Sequence, residues 1–148
     1  MIYYSSREFI SSQFQINNLQ IDPFNKKYEA FDFEQDNLKY KHRRANKTPL
    51  KQGYFLAVWQ KNPQNKNEPF RSDDALDYLV ISIMDDNQRG YFKFPKALLI
   101  QQRILTHNDK KGKMAFRVYP SWEHDLNHTA TLTQKWQAPY FISMSPNN

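Results

Sequence analysis

LKYKHRRANKTPLKQGYFLAVW, residues 38–59, is a basic arm that runs straight into an apolar strand. From Asn37 to Asn67 the chain carries eight Lys or Arg and no Asp or Glu. Lys39, Lys41 and Arg43 alternate with Leu38, Tyr40 and His42, a period of two that predicts a strand with one cationic edge and one half-apolar one. Thr48-Pro49 interrupts regular pairing, since Pro lacks an N–H and pushes the residue before it toward extended backbone. After Gly53, the β-branched and aromatic run predicts a buried strand over 53–60. Cations with no acid beside them in sequence, next to Tyr40, Tyr54 and Trp59, suit an extended polyanion: charge for phosphates, rings for bases. The same run also reads as a solvated basic hairpin that keeps the chain soluble.

Working outward, residues 28–34 place Glu29, Phe31 and Phe33 on one side and Tyr28, Ala30, Asp32 and Glu34 on the other. Asp36-Asn37 is turn chemistry, so strands 28–34, 38–44 and 53–60 are expected as an antiparallel meander. Upstream, residues 3–16 carry Tyr3, Ile10 and Phe14 at near-helical spacing, with Ser5 or Ser6 and Glu8 as a cap; 17–27 reads as a polar connection. Downstream, a polar loop over 61–77 holds an acidic knot of Asp73, Asp74 and Asp77. Residues 78–84 form the most apolar strand, expected to be central and covered on both faces. A turn leads to a strand at 91–94, and Pro95 opens a helix over 96–103. A basic loop, a strand at 114–119, a helix at 129–138 and a polar tail complete the chain. The predicted class is α/β (α+β): a single domain, residues 1–148, with a mixed sheet and antiparallel meander flanked by helices.

A chain of 148 residues with 39% hydrophobic and 16% aromatic content is expected to fold as one domain. Its formal charge of +6 favours anionic partners. The absence of cysteine excludes disulfides, thiolate metal sites and cysteine nucleophiles, and fits a cytoplasmic protein. Glu8 falls where the apolar part of a signal peptide would be, and no apolar run approaches the ~20 residues of a membrane helix, so no membrane partner is expected.

Three glycines cannot supply a dinucleotide fingerprint or a phosphate loop, so no cofactor is expected. His124 and His128 would share a helical face beside Glu123 and Asp125, but a third zinc ligand is missing, and no metal site is assigned. Phosphodiester cleavage needs clustered carboxylates for Mg²⁺ and commonly an acidic-x-Lys triplet. No Glu-x-Lys occurs; the one Asp-x-Lys, at Asp109, lies in a loop beside Gly112, and Tyr91 stands two positions before Lys93. A metal-dependent nuclease would have to draw on Glu29, Asp73, Asp74, Asp77 and Asp85. A second constellation, Lys113, Phe116, Arg117, Tyr119 and Trp122 followed by Trp136, can hold a phosphate and stack a base. Equally, the tryptophans read as core and Arg117 as a partner of Asp73 or Asp74.

Taken together, Tyr28-Glu-Ala-Phe-Asp-Phe33, Arg43-x-Ala45, Thr48-Pro49-x-Lys51-x-Gly53-x-Phe55, Trp59, Pro69-Phe70, Phe92-x-Phe94-Pro95-Lys96, Phe116-Arg-Val-Tyr-Pro120-x-Trp122 and Gln134-x-Trp136-Gln137 resemble the MepB family of bacterial proteins. His42 and Asn46 stand where that pattern has an aromatic residue and a Lys. The resemblance implies a fold similar to the PD-(D/E)XK nuclease core and nucleic-acid binding without an established reaction. The missing triplet argues for binding without cutting. The expected nucleic-acid contacts are Lys39, Lys41, Arg43, Arg44, Lys47, Lys51, Trp59, Lys93, Lys113, Arg117, Tyr119 and Trp122, with DNA or RNA as partner. A metal-dependent nuclease, or a partner- or small-molecule-binding protein with an incidental basic face, are the alternatives. No feature of the sequence fixes an oligomeric state.

Overall fold

Two central strands that bury both of their faces organise the molecule, whose computed structural model describes residues 5–145. In β8 (Tyr78–Asp85), Leu79, Ile81 and Ile83 point to one side while Val80 and Ser82 point to the other. Pairing with β9 (Gln88–Pro95) sets Phe94 beside Leu79 and Phe92 beside Ile81, so each face collects its own core. The sheet runs β1 (Asn17–Ile21), β2 (Phe31–Gln35), β3 (Leu38–Arg44), β8, β9 and β11 (Phe141–Ser143). All pairings are antiparallel except β3 with β8, which is parallel and makes the sheet mixed.

One face is covered by α1 (Ser6–Ser11), whose Phe9 and Ile10, with Phe14 just beyond, pack on Phe31, Phe33, Tyr40, Val80 and Tyr91. Each buried aromatic or aliphatic side chain there contributes roughly 1.5–3 kcal/mol. Ser5 caps the helix by accepting from the Glu8 N–H at 3.2 Å. The other face is covered by α2 (Lys96–Gln101) and by a small sheet. That sheet comprises β4 (Asn46–Lys47), β5 (Tyr54–Ala57) and β10 (Ala115–Val118), ordered β10–β5–β4. A hairpin of β6 (Trp59–Lys61) and β7 (Asn67–Pro69) and the helix α3 (His128–Gln137) complete it.

Several expectations need correction. The first helix spans one and a half turns, because Ser12 closes it through its hydroxyl on the Phe9 carbonyl; Tyr3 lies outside the described residues. The expected polar connection 17–27 contains β1, whose five residues are all exposed and so leave no apolar alternation to read. Strand β2 starts at Phe31 because Lys26–Tyr28 form a 3₁₀ turn closed by Glu29 in the left-handed region, φ 43°. The expected meander stops at two strands. Beyond Arg44 the chain leaves the sheet at Ala45, and residues 53–60 divide at Val58, whose N–H bonds Met114, into β5 and β6 of two separate small sheets. The polar tail contains β11, anchored by Phe141 packing at a tilt against Phe92. No helix among the described residues is long and apolar enough to cross a membrane.

Candidate functional site

The alternation of β3 is as read, but its cations are not unopposed. Antiparallel pairing sets Lys39 opposite Glu34 and Lys41 opposite Asp32, and both pairs form ion pairs, the second at 3.1 Å. Arg44 donates to Glu29 at 2.6 Å and Lys47 reaches Asp85 at 3.5 Å. Arg43 turns inward: its side chain is 1% exposed, pairs with Asp22 at 3.2 Å, donates to the His42 carbonyl and lies over the Phe70 ring. Such a guanidinium cannot reach a phosphate. Paired or buried, the charge run is largely neutralised within the fold.

Other candidates scatter. Lys93 lies on the opposite face of the sheet, its ammonium 4.4 Å from the Tyr78 ring centroid with Tyr40 and Phe14 further out, an arrangement that stabilises the cation in place. Tyr91 is core, edge-on to Phe9 and Phe14. Trp122 donates to the Tyr54 hydroxyl at 3.1 Å, packs edge-on to Phe141 and lies half-buried against the core. Tyr54 is buried and donates to Asp85 at 2.7 Å; burial first, then that bond, raises its hydroxyl pKa. Trp59 is half-buried in β6, with Lys61 above it. Arg117 contacts neither Asp73 nor Asp74. His124 precedes α3, which begins at His128, so the two imidazoles share no helical face.

What the fold does assemble is the outward face of the small sheet. In β5, Tyr54 and Leu56 point into the core, which turns Phe55 out. In β10, Phe116 and Val118 pack inward, which turns Arg117 out, directly beside Phe55. The Arg117 guanidinium lies 5.7 Å from the Phe55 ring, Phe55 sits 6.4 Å from Tyr28, and Lys27 lies 6.0 Å from Tyr28. Cation, ring, ring and cation thus follow one another from the 3₁₀ turn to β10, with Tyr28 half-buried against the core. Lys26, Lys27, Lys51 and Arg117 make no ion pair among the described residues. Tyr119 closes one end of this face, its ring against Gly53, where a Cβ would stand 2.6 Å from the ring; at φ +82° glycine is the residue that fits.

Along the other side of β10 runs a groove of about 330 Å³ lined by Gln102, Lys113, Ala115, Tyr119, Thr133 and Trp136, with no carboxylate. The Val58–Met114 bond sets the phase of the β10–β5 ladder, so the backbone of Ala115 and Arg117 faces this groove. The Gln137 amide, from α3, closes part of it, donating to the Arg117 carbonyl and accepting from the Tyr119 N–H, both at 2.9 Å. Sequence reading missed Lys26, Lys27, Tyr28, Phe55 and Gln137. The available signal was the phase of residues 54–57, which sends Phe55 opposite to Tyr54 and Leu56.

The carboxylates proposed for metal do not converge, and among the described residues no three His, Asp or Glu form a metal-holding group. Glu29 accepts from the Ser6 N–H and hydroxyl and from Arg44; burial pushes its pKa up, but these bonds outweigh that and hold it below the usual carboxylate value. Asp77 accepts from the Lys39 N–H and Asp74 from the Arg71 N–H and Gln60.

The fold and this face define an α+β protein: a mixed six-stranded sheet carrying a small cationic, aromatic sheet on one side. The chain belongs to the MepB-like family, whose model matches residues 22–143, an interval that includes every residue of the cation–ring line. A solved structure described as the crystal structure of MepB is similar over nearly the full length: 42% identity, 96% of this chain and 98% of that one covered, TM-score 0.86. Comparison with curated proteins gave no match.

Proposed function

We propose that this protein binds nucleic acid, DNA or RNA, without cutting it, through the outward face of the small sheet rather than the basic hairpin. The observation that supports it most is the line Lys27–Tyr28–Phe55–Arg117, which offers phosphates unpaired charge and offers bases or sugars ring surface at the same spacing. Lys51, in the loop that Arg117 holds, and Lys113, in the groove along β10, add to the positive charge. The similarity to a PD-(D/E)XK core and a cytoplasmic location belong to this proposal. The dispersal of the carboxylates supports its non-catalytic half, since metal-assisted hydrolysis needs at least two of them on one ion.

The salt dependence of binding tests it. Each phosphate contact takes about 0.7 to 0.9 from the slope of log K against log salt. Lys27→Ala with Lys51→Ala should flatten the slope by one to two units, whereas Lys39→Ala with Lys41→Ala should leave it nearly unchanged. The reverse pattern would return the footprint to the hairpin, and no binding to any probe would end the reading.

A further inference from the structure

Leu50 is 96% exposed, against 37–57% for the other large apolar side chains at the surface. One exposed leucine is ordinary; here the loop that carries it is held from both ends. Arg117 donates to the Thr48 hydroxyl at 2.6 Å and to the Gln52 carbonyl at 3.1 Å, so one guanidinium ties the entry of the loop to its exit. The Thr48 hydroxyl in turn faces the Lys51 carbonyl at 3.5 Å. Pro49 restricts the backbone before the leucine, and Gly53 turns the chain away beneath Tyr119. At 96% exposure the leucine of this tip packs on nothing beneath it. Lys47 and Lys51 flank it in the chain; Lys47 pairs with Asp85 at 3.5 Å but its side chain stays 72% exposed.

An apolar point framed by two cations has the chemistry of a wedge: the aliphatic group enters between bases while the ammonium groups meet the phosphates on either side. We propose that Leu50 inserts into an opened base step of duplex nucleic acid and kinks it, with Lys47 and Lys51 on the flanking phosphates. This rests on the nucleic-acid reading above. Because insertion must first unstack a step, a duplex already weakened by a mismatch is the preferred partner over an intact one.

The full-length chain is titrated into a duplex carrying 2-aminopurine beside a mismatch, into the matched duplex, and into a single strand, with dyes on the ends to report bending. Expected are a rise in 2-aminopurine emission and a shortened end-to-end distance, strongest with the mismatch. Leu50→Ser should lose both signals and about tenfold in affinity for the mismatched duplex, while Leu50→Trp should restore them. Duplex binding with flat emission, or a Leu50→Ser variant equal to the parent, overturns the wedge and leaves the wider reading standing. Failure to bind any of the three probes sinks both. Vesicles of anionic phospholipid form the control arm: binding to them that requires Leu50, with flat emission on duplex, makes the tip a membrane contact and the wedge wrong.

Discussion

His42 and Arg43 are neighbours in β3 and leave it on opposite faces, and each shows why a polar side chain can be sealed inside. The Glu29 carbonyl can only accept, so His42 Nδ1 carries the proton at 3.1 Å and Nε2 accepts from the Ser82 hydroxyl at 2.8 Å. Its ring stacks on Phe31 at 4.2 Å. Burial pushes its pKa down to about 3, with Arg43 and Arg44 adding to the fall and the Glu29 contacts opposing it. The unfolded chain binds that proton near pH 6.5. Stability from this residue is therefore complete above that pH and is lost as pH falls toward 3, by up to ~1.4 kcal/mol per unit. Urea midpoints compared between pH 7 and pH 4.5 should drop less steeply in His42→Gln than in the parent, by close to one proton's slope. Equal slopes would mean that the imidazole is charged in the folded state.

Among the elements, β10 shows a strand edge closed by a helix. Gln137 is fully buried, and its amide imitates the next strand across Arg117 and Tyr119. Replacement by Ala leaves a carbonyl and an N–H without a partner, at about 1–3 kcal/mol each if water does not enter. Gln137→Ala should therefore lower the melting temperature by several degrees and speed amide exchange at Tyr119. Unchanged exchange there would show that the clasp is dispensable. How much of this was legible follows from the same logic. The strands β2 and β3 carry their alternation in the sequence and β8 its unbroken apolar run, and the cap residues of α1 and the Pro before α2 mark those helices. Strand β1 could not be read, since none of its side chains is buried and its pairing is made by backbone alone. The hairpin charges were legible as residues but not as pairs, because register decides that Lys41 meets Asp32. The cation–ring line joins residues 27, 28, 55 and 117, which only the tertiary fold brings side by side.

At the scale of the whole molecule, the carboxylates are distributed as structural partners: Glu29 under α1, Asp22 on Arg43, Asp85 on Tyr54, Asp77 on the β3 backbone. Incubation of linear DNA or RNA with the protein and Mg²⁺ or Mn²⁺ should leave both intact over hours. Cleavage abolished by Asp74→Asn or Asp77→Asn would place a metal centre in the acidic knot after all. The parallel pairing of β3 with β8 has a further bearing, on synthesis. Residues 45–77, including both strands of the β6–β7 hairpin, separate the two strands. At roughly 5–20 residues per second, the ribosome takes a few seconds to deliver β8 after β3. Throughout that interval one side of β3 is an unsatisfied backbone template, open to the nascent chains of neighbouring ribosomes. The acids that pair with its cations, Asp22, Glu29, Asp32 and Glu34, all precede β3 in the chain, so its charges are already matched while its free edge waits for β8.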